Sequence, residues 1–162
     1  MKKTLYLLRH AKSSWKDITL NDFDRPLNKR GKYDAPFMAE KMKSKSINPQ
    51  IIISSPAKRA KKTAKIFSLA LQCTLHFDKR LYGAEIDEMI TIIQEAFETY
   101  DEVMVVGHNP ELTILNDLLS NSEIFNIPTS GIVSIVFKNS KLQEKQGKQL
   151  FFDYPKKYRE NQ

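Results

Sequence analysis

Three short apolar runs constrain this chain most: residues 4–8 (TLYLL), 51–54 (IIIS) and 103–107 (VMVVG). Each is aliphatic, lacks polar alternation and is too short for a buried helix, so each reads as a strand covered on both faces. The stretches between them carry a helical period. Over residues 28–45, Ala35, Met38, Ala39 and Met42 recur at i, i+3, i+4 and i+7, with Asn28 placed to cap the start. Pro36 removes a helical N–H there, which predicts a kink or a later start. Ser55 reads as the cap of a second helix with Pro56 in its first position, and Ala60, Ala64, Phe67 and Leu71 form its buried stripe. A third helix is predicted over residues 86–99, with Met89, Ile90, Ile93 and Phe97 on one face. Asn109-Pro110 caps and starts a fourth, which uses Leu112, Leu115 and Leu119. Residues 132–137 and 150–154 are strand-like and suit antiparallel addition at a sheet edge. Strands and helices alternating in this way predict a three-layer α/β/α fold around a mostly parallel central sheet.

The 162 residues contain no repeat, low-complexity tract or dividing linker, so a single domain spanning residues 1–162 is expected. The apolar runs fall far short of the ~20 residues that a membrane span needs, so no membrane partner is expected. Arg9-His10 interrupts the first run, and no signal-peptide core or cleavage site precedes it, which assigns this end to the mature fold. Cys73 is the only cysteine, so no internal disulfide forms, and a reducing, cytoplasmic setting is expected. The net charge of +7 is unevenly spread: residues 41–65 hold eight Lys or Arg and no acid, whereas residues 78–102 hold eight acids against Lys79 and Arg80. Such segregation suits an electropositive mouth for an anionic ligand, with most lysines on solvated helix faces. No basic run is interleaved with aromatics and no nucleic-acid motif occurs, so no nucleic-acid partner is expected.

The polar residues that could carry chemistry recur at one place in each strand–helix unit. Arg9-His10 follows the first strand, Arg59 lies in the opening turn after the second, and His108 follows the third. In an open parallel sheet the carboxyl ends of the strands form the ligand crevice, where helix N-termini offer free N–H groups. Two arginines and two histidines converging there make a site for a multiply charged oxyanion. Phosphate is the natural ligand, because guanidinium forks match its oxygens. His76 has no such placement and reads as structural or exposed. Two separated histidines without a carboxylate at ligand spacing do not close a metal shell, so neither metal nor other cofactor is expected.

Arg9-His10-Ala11 resembles the RHG/RHA signature of the histidine phosphatase superfamily, which includes phosphoglycerate mutases and acid phosphatases. Residues 7–15 (LLRHAKSSW) look more narrowly like the SixA-type phosphohistidine phosphatases. Supporting matches span most of the chain: residues 24–27 (DRPL) followed by Gly31, then Ser54-Ser55-Pro56 with Arg59-Ala60 and Thr63-Ala64, then residues 106–110 (VGHNP). The resemblance implies a phosphoglycerate mutase-like fold and a metal-independent phosphatase. In that reading His10 is the nucleophile, its other ring nitrogen donating to a backbone carbonyl. Arg9 and Arg59 hold the phosphoryl oxygens, and His108 completes the pocket, adding charge if protonated. Ser13 and Lys16 match the stretch where polar residues contact substrate, although mutases commonly have Asn at the position of Lys16. Trp15 reads as packing at the rim.

The implied substrate is a phosphorylated protein, such as a phosphohistidine on a histidine-containing phosphotransfer domain, with phosphate as product. Two alternatives are a phosphatase or mutase acting on small phosphate esters, and a phosphate- or nucleic-acid-binding module without catalysis. Superfamily members commonly place a proton-donating carboxyl before the third helix. Here residues 78–85 put Lys79 or Arg80 at the best-aligned positions, with Asp78 and Glu85 out of register. A leaving group that needs no general acid, such as the imidazole of phosphohistidine, is therefore expected.

Overall fold

The computed structural model describes residues 1–159; residues 160–162, the end of the expected 1–162 unit, lie outside them. Six strands form one sheet: β1 (Lys3–Arg9), β2 (Ile51–Ser54), β3 (Thr74–Phe77), β4 (Glu102–Gly107), β5 (Ile132–Phe137) and β6 (Lys148–Asp153). Their order is β3-β2-β4-β1-β5-β6. The first four are mutually parallel, and β5 and β6 are antiparallel additions beyond β1. Five α-helices are found among the described residues: α1 (Lys29–Ser44), α2 (Lys58–Leu71), α3 (Ile86–Phe97), α4 (Glu111–Leu119) and α5 (Pro155–Arg159). The fold is thus α/β in three layers, with a mostly parallel sheet.

Strand alternation decides the layers. Leu5, Leu7, Ile51, Ile53, Val103 and Val105 pack with α3 and α4 through Met89, Ile93, Phe97, Leu112 and Leu115. Tyr6, Leu8, Ile52, Met104 and Val106 turn the other way, onto Met38 and Met42 of α1 and Ala60, Ala64 and Phe67 of α2. A strand sandwiched between two helical layers needs apolar side chains at every position, which is why these runs show no polar alternation.

Several boundaries differ from expectation. Helix α1 runs unbroken from its Asn28 cap, whose side chain accepts from the Gly31 amide, across Pro36 to Ser44. Pro36 is exposed, so its missing N–H falls on the solvent side. Ser55 does not cap α2: the helix begins at Lys58 with Ala57 in the cap position, and the Ser55 hydroxyl accepts from the Ala57 amide and meets His108 instead. Strand β3 went unforeseen because it is a four-residue edge strand with Thr74 and His76 exposed. The terminal turn α5 also lacks a periodic signal; Tyr158 anchors it by donating to Asp153 at 2.8 Å. Among the described residues, no helix is long and apolar enough to cross a membrane.

Candidate active site

Parallel pairing of β1 with β4 sets Arg9 opposite Gly107, so the residues that follow, His10 and His108, emerge side by side. The His10 amide donates to the Gly107 carbonyl at 3.1 Å, and the two imidazole centroids stand 5.1 Å apart. Arg59 reaches the same point from the first turn of α2. Its Nε donates to His10 Nε2 at 3.3 Å and its Nη2 to His108 Nδ1 at 3.4 Å. Arg9 extends from the end of β1, donates to the Ile127 carbonyl at 3.0 Å and keeps its buried Nε without a partner among the described residues. The four residues line one cleft of about 650 Å³ at the carboxyl edge of the sheet.

Hydrogen bonding specifies both tautomers. Nδ1 of His10 lies 2.7 Å from the Ala11 carbonyl oxygen, which only accepts, so Nδ1 carries the proton and Nε2 keeps its lone pair. Nδ1 of His108 accepts from Arg59, so its Nε2 carries the proton and donates to Ser55 Oγ at 2.8 Å. Burial depresses the pKa of His10 to about 3: the Ala11 hydrogen bond opposes the shift, while His108, Arg59 and Arg9 reinforce it. His108 falls to about 4, through burial first and then the Arg59 charge. Both imidazoles are neutral at pH 7. His108 therefore adds no charge to the anion-free cleft, and a phosphoryl dianion beside it would favour the protonated form that the sequence left open.

Three further residues join the cleft without a clear signal in the sequence. Asp22, in a 3-10 turn at Asp22–Asp24, accepts from Arg59 Nη2 at 2.9 Å through Oδ2, and its carbonyl accepts from Arg59 Nη1 at 2.7 Å. Tyr82 donates to the same Oδ2 at 2.8 Å, and Arg25 holds Oδ1 at 3.2 Å. Burial works to raise the Asp22 pKa, but hydrogen bonds from Tyr82, Arg59 and Arg25 outweigh it and leave it at about 2. The Asp22 carboxylate thus occupies guanidinium donors that an oxyanion would use. Arg25, of the DRPL run, is itself buried and is a third arginine in the lining.

The remaining candidates divide. Ser13 lines the cleft, its Oγ accepting from Arg25 at 2.8 Å. Lys16 is exposed and outside the lining, whereas Lys12 is within it. The chain turns between the two, since the Ser14 hydroxyl accepts from the Lys16 amide. Trp15 stands at the rim, 72% exposed, with the Arg25 guanidinium carbon 3.4 Å above its ring. Asn109 accepts from the Thr113 amide and hydroxyl, tying down the start of α4, yet it also borders the cleft. Neither Asp78 nor Glu85 lines the cleft; from that segment Tyr82 and Gly83 do. Asp78 is engaged by Arg80, and the Glu85 amide donates to Glu88 at the head of α3. Besides Asp22, the carboxyl that enters the lining is Glu111, in the first turn of α4, whose buried Oε2 has no hydrogen-bond partner among the described residues. No group of three or more His, Cys, Asp or Glu among the described residues could hold a metal ion.

Arginines around a neutral imidazole, at the carboxyl edge of a parallel sheet, define a site suited to a tetrahedral oxyanion. The chain belongs to the histidine phosphatase superfamily (branch 1), whose sequence profile matches residues 5–111. It is 34% identical over 134 residues to an uncharacterised chloroplastic protein of Arabidopsis thaliana, the match spanning 75% of this chain and 61% of that one. A structure from Agrobacterium tumefaciens, assigned as a SixA phosphohistidine phosphatase, superposes with a TM-score of 0.80 at 26% identity, covering 94% of this chain and 98% of that one. A protein histidine phosphatase SixA complexed with tungstate gives 0.84 at 19% identity, covering 96% and 99%, a likeness of fold.

Proposed function

We propose that the protein is a phosphatase that transfers a phosphoryl group to His10 Nε2 and then to water, acting on phosphohistidine in proteins. The observation that carries this reading is the His10 imidazole: neutral, with Nδ1 committed to the Ala11 carbonyl and Nε2 turned to Arg59. A nucleophilic nitrogen must keep its lone pair at working pH, and burial secures that here. In the first step the Nε2–P bond forms as the bond from phosphorus to the substrate imidazole breaks, and that imidazole leaves with the electron pair and takes a proton from solvent water. In the second step water attacks phosphorus, the Nε2–P bond breaks, and phosphate departs with the water's oxygen. Arg59 and Arg9 hold the non-bridging oxygens through both steps, and the phosphoryl group displaces the Asp22 carboxylate from Arg59. Positioning and fixed charge supply the catalysis. Neutral His108, held by Ser55, keeps Arg59 in place and shapes the far wall. Ser13 and Lys12 border the phosphoryl site.

Phosphohistidine suits this cleft because its P–N bond breaks without a strong external acid, so its turnover depends little on Glu111. Burial pushes the thiol of Cys73 up to about 11, and a single cysteine fits a reducing, cytoplasmic setting. Phosphate release from a phosphorylated histidine-containing phosphotransfer domain tests the reading. Wild type is expected to release it, and His10→Ala to fall to background. Equal release by both proteins would remove His10 as nucleophile.

A further inference from the structure

A second concavity of about 660 Å³ lies beside the active cleft, lined by Phe23, Pro26 and Leu27 on one side and by lysines on the other. Lys58, Lys61, Lys62 and Lys65 recur at i, i+3, i+4 and i+7, so they form one stripe along α2, while Arg59 and Thr63 are buried on the same helix. Lys32 of α1 closes the far wall. All five lysines are exposed, and none has an ion-pair partner among the described residues. Their only contact of note is Lys61 Nζ over the Phe77 ring at 5.5 Å. Four like charges along one helix face repel one another, and of the chain's carboxylates Asp24 alone, among the described residues, joins five lysines in the lining, none of the eight acids in residues 78–102 reaching it.

The groove and the active cleft share a wall. Asp22 and Arg25 line the cleft, whereas Phe23, Asp24, Pro26 and Leu27 of the same segment line the groove. One polypeptide could therefore seat a phosphoryl group in the first and its flanking residues in the second. We infer that this lysine-walled groove is a docking site for an acidic segment flanking the phosphorylated residue of a protein substrate. Charge complementarity selects acidic side chains for the lysine wall, and Phe23, Pro26 and Leu27 offer an apolar floor to the stems between them. A nucleic acid would seek aromatic faces for its bases, and the lining holds one aromatic, Phe23.

The inference rests on the phosphatase reading for its substrate, and the test separates the two. The probes are a phosphohistidine peptide flanked by glutamates, its glutamine-flanked counterpart, the unphosphorylated glutamate peptide and a single-stranded oligonucleotide. Wild type is expected to favour the glutamate-flanked phosphopeptide by roughly tenfold in kcat/KM at low salt, carried by KM and fading as salt screens the lysines. Combining Lys58→Gln, Lys62→Gln and Lys65→Gln should abolish that preference while leaving p-nitrophenyl phosphate turnover within about twofold, because these side chains lie outside the cleft. Equal kcat/KM for the two phosphopeptides in wild type, or a preference retained in the lysine variant, would overturn the groove. So would an oligonucleotide that binds these lysines more tightly than the glutamate peptide. If neither phosphopeptide is dephosphorylated yet the unphosphorylated glutamate peptide binds wild type and not the variant, the groove stands and the phosphohistidine reading falls.

Discussion

Arg59 engages three groups at once: His10 through Nε, Asp22 through Nη1 and Nη2, and His108 through Nη2. Only a planar guanidinium can address such a spread, because an ammonium is a point charge without a fork. Arg59→Lys is therefore expected to lower turnover by about 10²-fold, comparable with losing one oxyanion donor. Single-turnover kinetics on an aryl phosphate would measure it, and a change of only a few fold would reduce Arg59 to charge neutralisation. Glu111 poses the complementary question of the proton. An alkoxide leaves poorly without an acid worth about 10²–10⁴-fold, whereas an imidazole leaves readily. Glu111→Gln is expected to slow alkyl phosphate hydrolysis by about 10²-fold and phosphohistidine hydrolysis by only a few fold. Glu85→Gln should spare both activities. An equal loss on both substrates in Glu111→Gln would place Glu111 instead at the hydrolysis of the phosphoenzyme, the step they share.

Among the elements, the loop after β1 is held from outside as well as by its own hydrogen bonds. The Asn28 amide donates to the Lys12 carbonyl at 3.0 Å, the Ser14 amide to the Pro26 carbonyl at 2.8 Å, and the Ala11 amide to Thr63 of α2 at 2.9 Å. The start of α1 thus abuts the segment that follows His10. Gly31 makes the approach possible: a Cβ there would sit 2.1 Å from the Lys12 carbonyl oxygen, far inside van der Waals contact. Gly31→Ala must push the loop or the helix aside, at an expected cost of about 1–3 kcal/mol as for an overpacked core. Because the loop carries Lys12 and Ser13 into the cleft, turnover should fall with stability. Denaturant midpoints and kcat measured together test this, and a variant with unchanged midpoint and kcat would show that the contact relaxes freely.

Across the whole molecule, charge follows the layers. The basic residues 41–65 run from the end of α1 into α2 on one face of the sheet, and the acid-rich residues 78–102 carry α3 on the other. The active cleft opens between them, with its two neutral histidines buried among arginines. That arrangement makes stability depend on pH with a definite sign. His10 and His108 have folded pKa values of about 3 and about 4, below the ordinary 6.5, so the unfolded chain binds more protons between those values and about 6.5. Their contribution is fully present above pH 6.5 and is lost as pH falls through that window toward the folded values. At pH 5 the loss is about 2 kcal/mol per histidine, from roughly 1.5 pH units at 1.36 kcal/mol each. Thermal unfolding should therefore shift down between pH 7 and pH 5, and combining His10→Gln with His108→Gln should flatten that slope. A slope unchanged in the double variant would assign the acid sensitivity elsewhere.

By itself the sequence determined the layer architecture, the parallel core and the edge where ligand chemistry collects. Those follow from local rules: a run such as VMVVG can be satisfied only by burial on both faces, and a residue just beyond such a strand emerges at its carboxyl end. His10, Arg9, Arg59 and His108 were legible for that reason. Strand β3 was not, because an exposed four-residue edge carries too little apolar pattern to register. Tertiary structure alone decided which polar groups meet those four residues. Asp22 and Tyr82 lie 60 positions apart and share one hydrogen bond, and Ser55 meets His108 across 53 positions while also accepting from the Ala57 amide ahead of its own helix. Glu111, placed beyond the segment where an acid was sought, enters the cleft because α4 begins directly behind His108. Periodicity records which face an element buries, but the path of a loop between elements leaves no such record. The ionisation of the cleft is likewise tertiary, since burial and neighbouring arginines, not residue type, hold both histidines neutral.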